Sequence, residues 1–220
     1  MLSVPGGIRL EIDVHIHSCH SLDSRSKPEE IVRRSLDLGL GAIAVTDHNS
    51  WKGYEAAKGA AKGRLIVIPG AELRTDKGDL IALFATDIQA RAWEQAIEEI
   101  KAGGGICVVP HPAASPDLTK DDIALADAIE VFNSTCGGRA NREAQRLAEE
   151  LHKPGFGSSD AHIVSAIGNG RTKVFHCSSV DDLRQHILKQ PEVTRRQRTN
   201  PLAHYGNAVL CFGLKGLWKK

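Results

Sequence analysis

Histidines and acidic residues recur along this chain in short motifs whose side chains could bind a metal ion. The first motif is His15-Ile16-His17, at the end of an apolar run, and Asp23 follows six residues later. Alternate residues of an extended strand point to the same side, so the two imidazoles are expected to converge. Such a pair also fits two histidines buried in an ordinary core, and the remaining motifs decide between the two interpretations.

The same residue types return in four later motifs, each at the end of a predicted strand. Imidazoles and carboxylates, with no thiolate required, form a mixed nitrogen and oxygen environment. This environment suits zinc, manganese or ferrous iron better than magnesium alone. The motifs are Thr46-Asp47-His48-Asn49, Gly70-Ala71-Glu72, Pro110-His111-Pro112 and Ser158-Ser159-Asp160-Ala161-His162.

Short apolar runs separated by helical segments must position these motifs. Residues 12–17, 42–45, 65–68, 80–84, 106–109 and 128–132 suit buried strands, and helices are predicted between them. Alternation over about seven strands indicates parallel strands joined by right-handed crossovers. In a barrel of this kind the carboxyl ends of the strands share one rim, where chemistry collects. We therefore predict a single α/β domain with the motifs on one rim.

Composition and charge restrict the possible functions. The chain has 220 residues and 41% hydrophobic content, which suits one domain, and 28 basic residues against 27 acidic ones give no global case for binding nucleic acid or a membrane. The five cysteines are widely spaced and form no C-x-x-C pair, which argues against disulfides and a zinc ribbon. We predict a cytoplasmic protein with no membrane partner.

The chain after His162 is less regular. A helix is predicted at 180–189, and the basic stretch 191–200 is interpreted as a solvated tail rather than an anion site. The last twenty residues fit either a helix that packs on the domain or an oligomer contact. We therefore expect a barrel at 1–175 and a helical extension at 176–220.

Taken in order, the five motifs resemble the PHP family, the polymerase and histidinol phosphatase superfamily of metal-dependent phosphoesterases. The resemblance spans residues 12–172 and is strongest to the short stand-alone branch. It implies a distorted (β/α)7 TIM-like barrel. It also implies two or three bound divalent ions, zinc, manganese or iron.

The resemblance also assigns ligands to each ion. The second ion of the family usually takes a further ligand from the end of the sixth strand, where this chain offers only Asn133, the nearby Cys136 or water. The assigned ligands are His15, His17, Glu72 and Asp160 for the first ion, Glu72 and His111 for the second, and Asp23, His48 and His162 for the third.

The expected function is hydrolysis of a small phosphorylated metabolite or nucleotide. Our hypothesis is that a metal-bridging hydroxide attacks phosphorus in line. Asp160 or His162 then either relays the proton to the leaving oxygen or acts only as a ligand. Arg139 and Arg171 are candidate contacts for the substrate phosphate.

Three alternatives stay open. The first is a 3'-5' exonuclease or phosphodiesterase acting on nucleic acid ends, as in PHP domains attached to polymerases, although the near-neutral charge disfavours it. The second is a histidinol phosphate phosphatase. The third is a non-catalytic PHP-like binding subunit. The natural substrate, the physiological metal and the oligomeric state do not follow from the sequence.

Overall fold

Ten β-strands and seven α-helices occupy residues 9–175 and 177–216, which are the residues that the computed structural model describes. The strands are β1 (Arg9–Ile16), β2 (Ala42–Val45), β3 (Ile66–Ile68), β4 (Gly70–Arg74), β5 (Asp79–Leu83), β6 (Ile106–Val109), β7 (Ala128–Asn133), β8 (Gly155–Ser158), β9 (Gly170–Phe175) and β10 (Glu192–Arg196). The helices are α1 (Pro28–Asp37), α2 (Lys52–Ala61), α3 (Trp93–Ala102), α4 (Lys120–Ala124), α5 (Gly138–Glu150), α6 (Val180–His186) and α7 (Pro201–Gly216).

The strands form two five-stranded sheets, in the orders β10-β9-β1-β2-β3 and β4-β5-β6-β7-β8. The chain passes from the first sheet to the second at Pro69, which has no backbone N–H to donate to a ladder. Isolated bridges join the sheets between Ile16 and Ala161 and between His48 and Glu72. The predicted α/β class is confirmed. The predicted single closed barrel is not, because no closed sheet is seen among the described residues.

The expectation of parallel strands throughout is wrong for β5. This strand is antiparallel to both β4 and β6. Only four residues, 75–78, separate β4 from β5, whereas a crossover between parallel strands needs a dozen or more. The hairpin therefore brings the amino end of β5, at Asp79, to the end of β4 that follows Glu72.

Apolar side chains fill the space between the two sheets and cover their outer faces. Ile12 of β1 and Ile81 of β5 belong to one inner cluster with Phe156. On the outer face of the second sheet, α3 buries the predicted face that includes Trp93 and Ile100. Helices α1 and α2 cover the first sheet in the same way.

A bulge in β1 turns the two histidines toward the space between the sheets. The pairing of β1 with β2 changes register between Asp13 and Ile16. Ile12 faces the inner core, whereas Ile16, also even-numbered, packs on the outer side. The bulge thus exchanges the two faces of the strand. As a result, the odd-numbered His15 and His17 face inward above the core.

The segment after Phe175 contains a strand as well as helices. The prediction of a solvated basic tail at 191–200 is wrong, because β10 pairs with β9 through backbone hydrogen bonds while most of its side chains stay exposed. The division at residue 175 stays a prediction. Leu217 and Trp218, which the sequence pattern adds to the last helix, lie outside the described residues.

None of the helices in the described part of the chain is both long enough and apolar enough to span a membrane.

Beside the bridge at Ile16, the two sheets approach each other closely between β8 and β9. The Thr172 hydroxyl accepts a hydrogen bond from Gly157 N at 2.7 Å and donates one to Gly157 O at 2.9 Å. A Cβ atom built at Gly170 would lie 2.1 Å from the backbone oxygen of Ser158. A side chain at residue 170 would therefore force the two strands apart.

We predict that Gly170→Ala lowers the free energy of unfolding by about 1–3 kcal/mol, because the added methyl group overpacks this contact. The matched control is Gly59→Ala in α2, where a Cβ meets no atom within 4 Å. Alanine should raise stability there by about 0.5–1 kcal/mol through helix propensity. Urea denaturation of both variants measures the difference, and equal effects would contradict the close approach of β8 and β9.

Candidate metal centre

Four ligand atoms from three parts of the fold converge between the sheets. His15 Nε2 lies 3.1 Å from His17 Nε2 and 3.4 Å from both Glu72 Oε2 and Asp160 Oδ1. His17 Nε2 lies 3.2 Å from the same Glu72 oxygen and 3.4 Å from the same Asp160 oxygen. Ligand atoms placed tetrahedrally at about 2.0 Å from a zinc-sized ion lie about 3.3 Å apart. The spacing of these atoms therefore fits a single cation at their centre.

The hydrogen bonds of His15 show which of its atoms faces that centre. Its Nδ1 lies 3.0 Å from Glu130 Oε1, which can only accept when ionised. In the neutral imidazole the proton is thus on Nδ1, and Nε2 presents a lone pair to the cluster. A lone pair facing two carboxylate oxygens is repelled by them unless a cation or a proton lies between.

Glu130, which the sequence interpretation missed, supports two of the candidate ligands. Its second oxygen accepts the backbone N–H of His111 at 2.9 Å and the Asn133 side-chain amide at 2.8 Å. Glu130 itself is buried within β7. A carboxylate inside a buried apolar strand, 128–132, was the available signal, since buried charges require partners.

A second group lies nearer the surface and contains the third predicted ligand set. Asp23 Oδ2 is 3.2 Å from His48 Nε2 and 3.5 Å from His162 Nε2. One ligand atom from each of these residues and one from His17 lie within 4.8 Å of one another. The side chains of Asp23, His48 and His162 are 11–19% exposed, against 0–9% for the inner four.

Glu72 connects the inner group to His111. Glu72 Oε1 lies 3.1 Å from His111 Nε2, and Glu72 Oε2 faces the two histidines of β1. His111 has a positive φ of 28°, and Asp160 one of 49°. Both are uncommon for residues other than glycine, and such strain is concentrated at functional sites.

The side chains at the end of β7 are engaged elsewhere. Asn133 Oδ1 accepts a hydrogen bond from the backbone N–H of Thr135 at 2.8 Å and lies 2.7 Å from the Thr135 hydroxyl oxygen. Its amide nitrogen donates to Glu130 and Asp160. Burial and the nearby carboxylates of Glu130 and Asp160 raise the pKa of the Cys136 thiol to about 12. In the metal-free chain the Cys136 thiol therefore keeps its proton, and the choice among Asn133, Cys136 and water as the further ligand of a second ion stays a prediction.

The two arginines predicted to bind phosphate differ in their surroundings. The Arg171 guanidinium is paired with Glu11 at 3.0 Å and donates to the Gly168 carbonyl at 2.8 Å, so the structure does not bring it to the metal ligands. Arg139 is exposed in the first turn of α5, just after the end of β7. Its role as a phosphate contact stays a prediction.

Helix α7 lies beside the outer group of ligands. Asn207 Nδ2 donates to the backbone oxygen of Asp23 at 2.8 Å, and the His204 ring stands edge-on to the His162 ring, with centroids 5.2 Å apart. The preceding segment is fixed by a backbone hydrogen bond of 2.7 Å from Thr199 N to Ser134 O. Sequence patterns gave no sign that the last helix reaches this rim.

In the metal-free chain, protons compensate the negative charge of the cluster. Burial alone would lower the pKa of His17, but hydrogen bonds to Asp160 and Glu72 raise it to about 10. Burial likewise opposes protonation of His111, and Glu72 raises its pKa to about 9. Burial would raise the pKa of Glu72 and Asp160, but the neighbouring histidines, His15 foremost, hold both well below their usual range.

Comparisons with known proteins agree with this geometry. The model of the PHP domain matches residues 13–102, and a model described as PHP-associated matches residues 138–190. An uncharacterized protein of Methanocaldococcus jannaschii is 30% identical over 141 residues, which cover 57% of this chain and 82% of that protein. An error-prone DNA polymerase of Alkalilimnicola ehrlichii is 39% identical over 93 residues, 41% of this chain and 9% of the polymerase.

The fold has a close counterpart among solved structures. A two-domain protein of Bacteroides vulgatus, which contains a predicted PHP-like metal-dependent phosphoesterase, aligns with a TM-score of 0.73. The alignment covers 92% of this chain and 71% of that one at 20% identity. At this identity the likeness establishes a shared fold.

We predict that Glu130→Gln weakens metal binding by about 10–100-fold, the usual effect of removing the partner of a ligand. The two carboxylate oxygens of Glu130 accept three hydrogen bonds, whereas the glutamine amide has only one acceptor oxygen. Competition with a chelator measures the affinity, and Glu143→Gln, on the exposed side of α5, is the control. Equal affinity in the two variants would contradict the role given to Glu130.

We also predict that the metal-free chain loses stability as the pH rises. The raised pKa values of His17 and His111 stabilise the fold fully below about pH 6.5, and this contribution is lost as the pH passes through 9 to 10. A cation requires deprotonated imidazoles, so added manganese should abolish or reverse the trend. Urea denaturation at pH 6 and pH 9, with EDTA or with manganese, measures both effects. Equal stability of the EDTA-treated chain at both pH values would contradict the prediction.

Proposed function

This chain belongs to the PHP family, and on that premise we propose that it is a metal-dependent hydrolase that cleaves an ester of a small phosphorylated molecule. One observation carries the proposal: ligand atoms of His15, His17, Glu72 and Asp160 surround one centre and lie 3.1–3.4 Å apart in five pairs. That arrangement is suited to a cation and costly without one.

The ligand set supports two or three divalent ions. The donors are imidazole nitrogens and carboxylate oxygens, which suit zinc, manganese or iron. His15, His17, Glu72 and Asp160 would hold the first ion. Glu72 has a second oxygen beside His111 for another ion, and Asp23, His48 and His162 form the outermost set.

Bound divalent cations supply an acidified water molecule as the nucleophile and neutralise charge on the phosphoryl oxygens. The chain's own contribution is to fix the ligand atoms. Asp160 Oδ2 accepts hydrogen bonds from Asn133 at 3.1 Å and from the Thr135 hydroxyl at 2.9 Å, so that Oδ1 is directed at the histidines. Preorganised ligands of this kind lose little orientation freedom in the reaction.

The hydrogen bonds of His162 favour a ligand role over a proton relay. Its Nδ1 lies 3.0 Å from the backbone oxygen of Asp160, which can only accept. In the neutral ring the proton is therefore on Nδ1, and Nε2 directs its lone pair toward Asp23. We therefore assign His162 and Asp160 to cation binding. To transfer a proton, either side chain would have to break the hydrogen bonds that now orient it.

A small substrate is favoured over an extended nucleic acid strand. The net charge of +1 supplies no general attraction for a polyanion. Helix α7 also takes up space beside the outer ligands, through the contacts of Asn207 and His204. The exposed Arg139 at the start of α5 is our candidate for binding the substrate phosphate.

Hydrolysis of nucleic acid ends is the second candidate. It is favoured by the 39% identity to an error-prone DNA polymerase over 93 residues. Those residues make up 9% of the polymerase. Manganese-loaded protein that cleaves oligonucleotides and leaves phosphate monoesters intact would decide for this candidate.

We predict that chain loaded with manganese, zinc or iron hydrolyses members of a panel of small phosphate esters, including mononucleotides and nucleoside bisphosphates. Asp160→Ala should reduce turnover on the order of 10³-fold or more, because a ligand of the innermost cation is lost. Asp181→Ala, on an 85% exposed side chain in α6, is the matched control.

Phosphate release and the metal content of each protein are measured together. Full activity of Asp160→Ala, or full metal content without hydrolysis of any phosphate ester, would contradict the proposed function.

A further inference from the structure

A cluster of possible metal ligands lies away from the metal centre, where α6 follows β9. Cys177 comes two residues after the end of β9, and Asp182 and His186 belong to α6. One ligand atom from each of these three residues lies within 4.8 Å of the other two. We propose that they bind a zinc ion, at a place that we call the α6 site. No C-x-x-C spacing marks it, because its ligands are of three different types.

The strand register puts the α6 site at the opposite end of the first sheet from the metal centre. Strand β9 is antiparallel to β1, and its last residue, Phe175, pairs with Arg9 at the beginning of β1. The ligands His15 and His17 lie at the carboxyl end of β1. The length of β1 therefore separates the two sites by roughly 20 Å.

Apolar packing holds the three side chains of the α6 site together. Leu183 of α6 and Ile187 directly after it are fully buried, and they join Cys177 in the cluster between the two sheets. Asp182 and His186 are four residues apart, so they are neighbours on one face of the helix. Their side chains are 37% and 35% exposed, which leaves room for a water molecule as a further ligand. A bound ion would fasten α6 to the end of β9.

Hydrogen bonds already direct the Asp182 carboxylate toward His186. Asp182 Oδ2 accepts the backbone N–H of Ser178 at 3.1 Å, and Oδ1 lies 3.1 Å from His186 Nδ1. That nitrogen also lies 2.8 Å from the backbone oxygen of Asp182, which can only accept, so it carries the proton in the neutral ring. The Cys177 thiol donates to the Phe175 carbonyl at 3.2 Å. Zinc would release the thiol proton and move the imidazole proton to Nε2.

The charges at the α6 site favour a thiophilic cation. Burial and the Asp182 carboxylate raise the pKa of the Cys177 thiol, because a thiolate would face a second negative charge. A divalent cation between the two groups removes this repulsion and deprotonates the thiol. One sulfur, one imidazole nitrogen and one carboxylate oxygen, with water as the fourth ligand, match the tetrahedral coordination of zinc. Magnesium and calcium prefer oxygen ligands and are disfavoured.

Cobalt(II) tests the proposal as a spectroscopic substitute for zinc. A thiolate bound to cobalt gives a sulfur-to-metal charge-transfer absorption, which nitrogen and oxygen ligands do not give. Full-length Cys136→Ser is the reference, so that no sulfur from residue 136 beside the metal centre contributes. We expect the absorption in the reference, its loss when Cys177→Ser is added, and its loss when zinc displaces cobalt. Its absence from the reference, or its survival in the double variant, would overturn the proposal.

Two variants that keep Cys177 separate the loss of a ligand from misfolding. Introduced into the same reference, Asp182→Asn and His186→Gln should each weaken cobalt binding at the α6 site by about tenfold or more, because a ligand is lost. Asp181→Asn, on an 85% exposed side chain next to Asp182, is the matched control and should bind cobalt like the reference. Titration of the charge-transfer absorption measures the affinities, and equal values in all three variants would overturn the proposal.

Discussion

Repulsion among ligand atoms that share one small volume is the constraint that the rest of the structure meets. The Nε2 atoms of His15 and His17 lie 3.1 Å apart, and each lies 3.2–3.4 Å from a carboxylate oxygen of Glu72 and of Asp160. None of these contacts would persist in a loosely packed protein. The four residues belong to β1, to β4 and to the loop after β8, and the apolar core between the two sheets fixes those elements.

Secondary contacts hold each ligand in a single orientation. Glu130 accepts from His15, the Ser21 hydroxyl lies 3.2 Å from His17 Nδ1, and Asn133 with Thr135 fixes Asp160. Such partners raise the basicity of the ligands and keep them from turning away when no cation is bound. The inner four ligands are buried and form the closed end of the centre. Its open end is formed by the more exposed Asp23, His48 and His162. On the proposed function, substrate enters from the open end.

Much of this arrangement follows from the sequence, and the remainder does not for identifiable reasons. Polar motifs after apolar runs located the residues that now form the cluster, because strand ends in a sheet share a rim. The sequence could not show the bulge that reverses the faces of β1, since a register shift leaves no mark on an alternating pattern. It also could not show that β10 adds to the sheet, because the strand's exposed arginines resemble a solvated tail. Glu130 could have been identified by its charge inside a buried strand.

Strand direction determines which residue of a strand can take part in the chemistry. In a parallel strand the last residue reaches the rim, and a search of strand ends finds it. The short connection between β4 and β5 reverses the direction of β5, so that its first residue, Asp79, takes that position. Because of this reversal, the first residue of β5 lies near Glu72. In a parallel strand the last residue would lie there. The carboxylate that lies beside Glu72 is therefore a consequence of the length of the loop between β4 and β5.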